Sequence, residues 1–266
     1  DVIAPERSGL DLMQPAQVEQ RVTLLAPDWI INCAAYTQVD RAEDKVEQAM
    51  TVNRDSAAAL ARAAAACSAR LLHISTDFVF SGEQSRPYRE EDAPGPLGVY
   101  GRSKLEGEQA VREALPDAVI LRTAWVYGVH GHNFVRTMLR LAAEGRPLRV
   151  VDDQTGSPTW ARDIAGVITA LMQAGASGLY HYTNAGSVSW CGFASAILSE
   201  AMKAGFELRT QTVEPITTAE YPTPASRPEY SVLDTGKIEA ELGLSIPDWH
   251  DSLVAMLGEL YTCETS

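Results

Sequence analysis

The chain has 266 residues, 45% of them hydrophobic and 21% charged, the balance of a folded globular protein rather than a disordered one. Its formal net charge of −13 repels a polyphosphate backbone, so nucleic acid is not an expected partner, and an anionic nucleotide needs a local Arg or Lys cluster to bind. No apolar run is long enough to predict a membrane span and no signal peptide is read, while four scattered cysteines (Cys33, Cys67, Cys191 and Cys263) suit neither zinc nor a small disulfide scaffold and suggest a reducing cytoplasm.

In chain order, Val2 to Ala4 reads as the tail of a strand before a polar turn. Gln14 to Leu25 has helical spacing, with Val18, Val22 and Leu25 on one face. Trp29 to Ala35 is a continuous apolar run of the kind that fills a strand covered on both faces. Ala42 to Cys67 is a long alanine-rich helical region, and its alanines express packing and helix propensity. Arg70 to Thr76 is a second buried strand, Val99 to Ala114 a helix, and Ala118 to Ala124 a third strand. This alternation predicts an α/β fold, a Rossmann-like, doubly wound parallel sheet, with residues 1–150 as a dinucleotide-binding domain. Ligands of such sheets lie beyond the carboxyl ends of the strands. From about Gly156 the apolar segments shorten. Ile164 to Met172, Trp190 to Met202 and Trp249 to Leu260 read as helices, and the stretches around Tyr180 and Val232 as strands. Residues 151–266 are thus expected to form mainly a smaller α/β substrate lobe, with some segments returning to the main domain.

Tyr100 and Lys104 stand four apart at the start of a predicted helix, on one face. A free tyrosine, with a pKa of about 10, is a poor acid or base at neutral pH, and a neighbouring ammonium is expected to lower it. Ser75-Thr76-Asp77 ends a buried strand, where a hydroxyl can donate to a carbonyl oxygen or simply cap the strand. A Tyr-x-x-x-Lys pair alone is weak, since most such pairs are chance surface residues. Gly95, Gly98 and Gly101 follow no strand and are not a phosphate loop. His130 and His132 have no partner motif, so no metal is expected.

Several linked segments carry more. N-C-A-A-Y-T-Q-V-D-R-A-E (Asn32 to Glu43), S-T-D-F-V-F-S-G (Ser75 to Gly82), Y-G-R-S-K-L-E-G-E (Tyr100 to Glu108), R-T-A-W-V-Y-G (Arg122 to Gly128) and D-D-Q-T-G-S-P-T (Asp152 to Thr159) occur in order, followed by G-L-Y-H-Y-T-N-A-G (Gly178 to Gly186) and S-R-P (Ser226 to Pro228). Over nearly the whole chain the sequence resembles the dTDP-4-dehydrorhamnose reductases, a family of the extended short-chain dehydrogenase/reductases. The resemblance implies NADPH or NADH as cofactor and a dTDP-sugar as substrate, with reduction of the C4 ketone of dTDP-4-dehydro-L-rhamnose to dTDP-L-rhamnose for cell-surface polysaccharide.

By the same resemblance, Thr76, Tyr100 and Lys104 form the catalytic set, and Lys104 also holds cofactor ribose hydroxyls. Asp11 and Leu12 lie near the adenine, Ala34, Ala35 and Tyr36 along the cofactor, and Ser75 beside the nicotinamide. Thr37, Val39, Asp77 and Trp125 line the sugar site, with Asn133, Thr159 and Arg227 as weaker substrate candidates. Trp125 packs on the pyranose or fills core; Arg227 neutralises a diphosphate or makes a surface salt bridge. Arg7 is a candidate for a 2′-phosphate, which would favour NADP over NAD. Dehydratase relatives carry Thr-Asp-Glu, whereas here Phe78 follows Asp77, so the eliminating acid is absent. The family's first strand and Gly-rich phosphate loop have no counterpart in this sequence. A longer enzyme is therefore expected, with poor stability and weak cofactor binding for a molecule that starts at Asp1. Family members often dimerise, which makes a homodimer an expectation. Two alternatives stay open: a non-catalytic NADP-binding regulatory subunit resembling the β subunit of methionine adenosyltransferase, and a reductase or epimerase of another nucleotide sugar.

Overall fold

A computed structural model describes residues 1–265. The first fourteen residues form no helix or strand. Val2 and Ile3 are 95% and 66% exposed and pair with nothing, so the expected strand tail is not a strand. Helix α1 (Pro15–Leu25) starts on a proline whose fixed φ suits a first turn, and it buries Val18 and Val22 against Leu60 and Ala63. Strand β1 (Trp29–Asn32) stops three residues short of the expected Ala35, because the Asn32 side chain takes the N–H of Ala34 and turns the chain out of the sheet.

The alanine-rich region is not one helix. It divides into α2 (Val39–Asp44), α3 (Val46–Met50), a π-helical turn over Thr51–Asp55, and α4 (Ser56–Cys67). Helix propensity runs through all four, and the wider turn coincides with the tertiary contacts of Asn53. Strand β2 (Arg70–Thr76) leads through a 3₁₀ turn (Asp77–Val79) to the long loop before α5 (Val99–Ala114). Then follow β3 (Val119–Thr123), β4 (Val126–Tyr127), α6 (Phe134–Ala143), β5 (Arg149–Val151), β6 (Thr155–Gly156), β7 (Thr159–Trp160), α7 (Ala161–Gln173), β8 (Gly178–His181), β9 (Val188–Ser189), α8 (Trp190–Ala204), β10 (Glu214–Ile216), α9 (Gly236–Leu242) and α10 (Trp249–Thr265).

The main sheet has the order β1-β2-β3-β8, and every pairing is parallel. Successive residues of its strands serve opposite faces. Leu71 and Ile120 pack with Ala57, Ala61, Ala64 and Val111 on one side. Leu72, Val119 and Leu121 pack with Ile164, Val167, Ile168, Leu171 and Tyr180 on the other. The alanines of α4 let that helix lie close to the sheet. A separate core joins α6, α8 and α10 through Met138, Leu139, Phe193, Ile197, Met256 and Leu257. Three short pairs surround it: β5 with β10 and β4 with β7, both parallel, and β6 with β9, antiparallel. Although β8 follows residue 150, it completes the main sheet, and Ile238 of α9 packs onto the same face. The stretch around Val232 is not a strand; Leu233 makes only an isolated bridge to Tyr88.

Candidate active site

The carboxyl ends of β1, β2 and β3 lie side by side, and α5 crosses beside them. Gly101 and Gly107 set that crossing. A Cβ on Gly101 would stand 2.1 Å from the Phe78 carbonyl oxygen, and one on Gly107 would stand 2.1 Å from that of Asn53. Only a residue without a side chain admits this approach. The amino end of α5 is capped from α2, where the Glu43 carboxylate accepts the Val99 N–H at 2.8 Å, adding negative charge where the helix dipole is positive. Tyr100 and Lys104 are thereby carried to the end of β2.

Lys104 is buried. Its Nζ donates to the Ile74 carbonyl oxygen at 2.6 Å and lies 3.3 Å from His73 Nε2. Burial lowers its pKa to about 8, against the fields of Glu108 and Cys33, which favour the ammonium. Thr76 donates to Asp77 Oδ1 at 3.0 Å and accepts the Phe78 N–H at 3.2 Å. Asp77 is buried, and its Oδ2 makes no hydrogen bond of good geometry among the described residues, although the Ser231 hydroxyl lies close enough to favour the charged form. Burial pushes that carboxyl up to about 6. The Tyr100 phenol is pushed up to about 12, first by burial and further by the Asp77 charge, while a hydrogen bond with Thr76 works the other way. The expected lowering by Lys104 is not what the geometry gives, because its Nζ is engaged by the Ile74 carbonyl oxygen and faces His73. The Phe78 ring meets the Tyr100 ring edge-on at 5.5 Å, so an apolar group occupies the neighbourhood where a dehydratase-type acid would stand.

The turn after β1 brings Ala34, Ala35 and Tyr36 beside α5 and leaves Ala34 and Thr37 exposed. Asn53, which the sequence did not single out, holds this turn with both ends of its amide. Its Oδ1 accepts the Tyr36 N–H at 2.7 Å, and its Nδ2 donates to Tyr36 O at 3.1 Å and to Ser103 Oγ at 2.9 Å. Ser103 in turn donates to Tyr100 O at 2.8 Å. A second unforeseen group sits beneath Ser75, whose hydroxyl donates to Glu108 Oε1 at 2.5 Å. Glu108 also takes a two-pronged pair from Arg122, at 2.9 and 2.7 Å, fully buried between α5 and β3. Its place in the G-E tail of the Tyr100 motif was the only signal in the sequence.

The remaining candidates are more dispersed. Asp11 accepts the Met13 N–H and pairs with exposed Arg7 at 3.6 Å, while Leu12 O accepts from Ser56. Val39 opens α2. Trp125 has a left-handed backbone, φ +46°, and its indole stacks on Trp190 at 3.6 Å with Gly156 pressed beneath it. Asn133 caps α6 and donates to Gly128 O. Thr159 is completely buried, and its hydroxyl donates to Ser157 O. Arg227 is held by Asp40 at 3.0 and 2.8 Å and also donates to Thr223 and Ala225 O. The ion-pair alternative thus describes its position here, with a partner in the first turn of α2.

The arrangement suits a dinucleotide. Small side chains follow β1, a buried lysine lies at the end of β2, and the buried Asp77 carboxyl follows the same strand end. The family described as RmlD substrate binding domain matches residues 1–262. A dTDP-4-dehydrorhamnose reductase of Salmonella typhimurium is 42% identical over 270 residues, covering 100% of this chain and 90% of that one. A crystal structure of the reductase from Bacillus anthracis in complex with NADP superposes with a TM-score of 0.91 at 38% identity, covering 97% of this chain and 90% of that one. One from Clostridium acetobutylicum gives 0.92 at 38% identity, covering 98% and 90%. With its parallel sheet, its Tyr100–Lys104 helix and this likeness along its whole length, the chain belongs to the dTDP-4-dehydrorhamnose reductase family.

Proposed function

We propose that the protein reduces the C4 ketone of dTDP-4-dehydro-L-rhamnose to dTDP-L-rhamnose with NADPH or NADH. One arrangement carries this reading: the Thr76 hydroxyl and Tyr100 phenol converge at the end of β2, with the Phe78 ring beside them in place of an eliminating acid. The nicotinamide, when bound, supplies the hydride. Tyr100 donates its proton to the C4 oxygen. A phenol held at about 12 is fully protonated at neutral pH, which suits a donor, and the alkoxide formed at C4 is basic enough to take the proton. Thr76 hydrogen-bonds to the same oxygen and stabilises its developing charge. Lys104 holds the ribose hydroxyls of the cofactor beside Tyr100.

Ala34, Ala35, Tyr36 and Ser75 would flank the cofactor, with Asp11 and Leu12 toward its adenine. Thr37, Val39, Asp77 and Trp125 would line the sugar, with Asn133, Thr159 and Arg227 as the weaker candidates near the substrate. Asp77 is best suited to this role, because a sugar hydroxyl can satisfy its unpartnered Oδ2. Residues 1–150 would then hold chiefly the dinucleotide and residues 151–266 chiefly the sugar, with β8 and α9 returning to the main sheet. The four free cysteines agree with a cytoplasmic setting. A homodimer is proposed on the family resemblance alone.

Loss of NADPH absorbance on adding the dTDP-sugar tests the reading. Tyr100→Phe keeps the ring and its packing but removes the proton. Turnover is expected to fall about 10²–10⁴-fold while NADPH binding persists. Undiminished turnover in this variant would remove Tyr100 from the mechanism.

A further inference from the structure

His73 is completely enclosed in the middle of β2 and takes no part in the reaction outlined above. Its two ring nitrogens face groups of fixed character. On one side, Asn32 Nδ2 lies 2.8 Å from Nδ1. The orientation of that amide is settled by its other end, because the Ala34 N–H can only donate and Asn32 Oδ1 accepts it at 3.2 Å. The Asn32 –NH₂ therefore donates to Nδ1, which must carry a lone pair. A neutral imidazole then has its only proton on Nε2. Burial drives His73 well below the usual imidazole range, so it is neutral.

The Nε2–H faces Lys104 Nζ at 3.3 Å. An ammonium there would set N–H against N–H. An amine instead accepts from Nε2–H through its lone pair and still donates to Ile74 O at 2.6 Å. The other titratable groups near Nζ are Glu108, one turn further along α5, and Cys33, at the end of β1. Glu108 is committed to Arg122 and Ser75.

We propose that Asn32 and His73 are positioning residues for Lys104: the amide locks the imidazole as an Nε2–H donor, and that donor favours the neutral amine of the lysine beside Tyr100. Lys104 then changes protonation within the working range. The inference builds on the reductase reading through Lys104, but its test needs no turnover.

The chain has only four lysines (Lys45, Lys104, Lys203 and Lys237) and five histidines, so selective labelling gives few signals. In cofactor-free protein, ¹⁵N shifts of His73 report its tautomer and ¹³Cε shifts of Lys104 report its titration. The wild type is expected to show the Nε2–H form, with Lys104 titrating below the other three lysines. Asn32→Asp replaces the donor by an acceptor. It should flip His73 to Nδ1–H and raise the Lys104 midpoint by about one unit or more. The double variant Asn32→Asp/His73→Phe carries the same new charge without the imidazole and should give a smaller rise. An Nδ1–H tautomer in the wild type would overturn the proposal. So would a Lys104 midpoint that ignores the flip, or an equal rise in the double variant. Absence of NADPH oxidation in the wild type would instead count against the reductase reading and leave these spectra intact.

Discussion

Asp77 shows how burial alone makes a side chain's behaviour depend on pH. Its folded pKa, about 6, is raised above the ordinary carboxylate value of 3.8. The protonated form is therefore favoured by folding. Relative to a neutral isostere, the stabilisation is fully present below the unfolded pKa and is lost as pH rises through about 6. Asp77→Asn should gain on the wild type between pH 4 and pH 7, by roughly 2–3 kcal/mol for a shift of this size. Melting temperatures of the two proteins across that range check it, and parallel curves would contradict it. The same substitution should weaken sugar binding, since an amide cannot accept from a sugar hydroxyl as strongly as a carboxylate. Tyr100, Lys104, Thr76 and Asp77 were legible in the sequence because motif spacing around a strand end and a helix start is local. His73, Asn53 and Glu108 were not, because their partners lie 31, 50 and 33 residues away and only the fold brings them together.

At the scale of elements, the site depends on how closely α5 lies against the turns around it. Asn53 ties the turn after β1 to α5 through three hydrogen bonds, all lost in Asn53→Ala. Stability should fall by about 2–4 kcal/mol, because Tyr36 N–H and O lose their partner. NADPH affinity should fall with it if the turn after β1 runs along the cofactor as proposed. Gly101→Ala is the complementary test. Its Cβ cannot occupy the space 2.1 Å from Phe78 O, so α5 must shift and carry Tyr100 with it. A displacement of about 1 Å costs on the order of 10²-fold in rate, with about 1–3 kcal/mol of stability. Chemical denaturation together with kcat separates the two effects; a kcat at the wild-type level would show that α5 tolerates the strain. The helix and strand periods predicted α5 and β2 over their full observed ranges. They failed over residues 42–67, where uniform alanine content conceals the π turn that contains Asn53.

For the molecule as a whole, the alternation of strands and helices made the parallel sheet readable, since each apolar run is covered on both faces and separated by a helix. The late return of β8 and α9 was foreseen only in outline. A four-residue strand at 178–181 has no local mark of which sheet it joins; its apolar contacts with Leu121 and Ile238 decide that. The functional reading likewise belongs to the whole chain, because the cofactor turn, the Thr76–Tyr100 pair and the sugar-lining candidates come from segments far apart in sequence. The most direct test is the rate of NADPH oxidation by the protein on enzymatically generated dTDP-4-dehydro-L-rhamnose, with the sugar product identified. Stoichiometric formation of dTDP-L-rhamnose, lost in Tyr100→Phe, is the expected result. Tight NADPH binding without any oxidation in the wild type would contradict it and favour a cofactor-binding regulatory subunit.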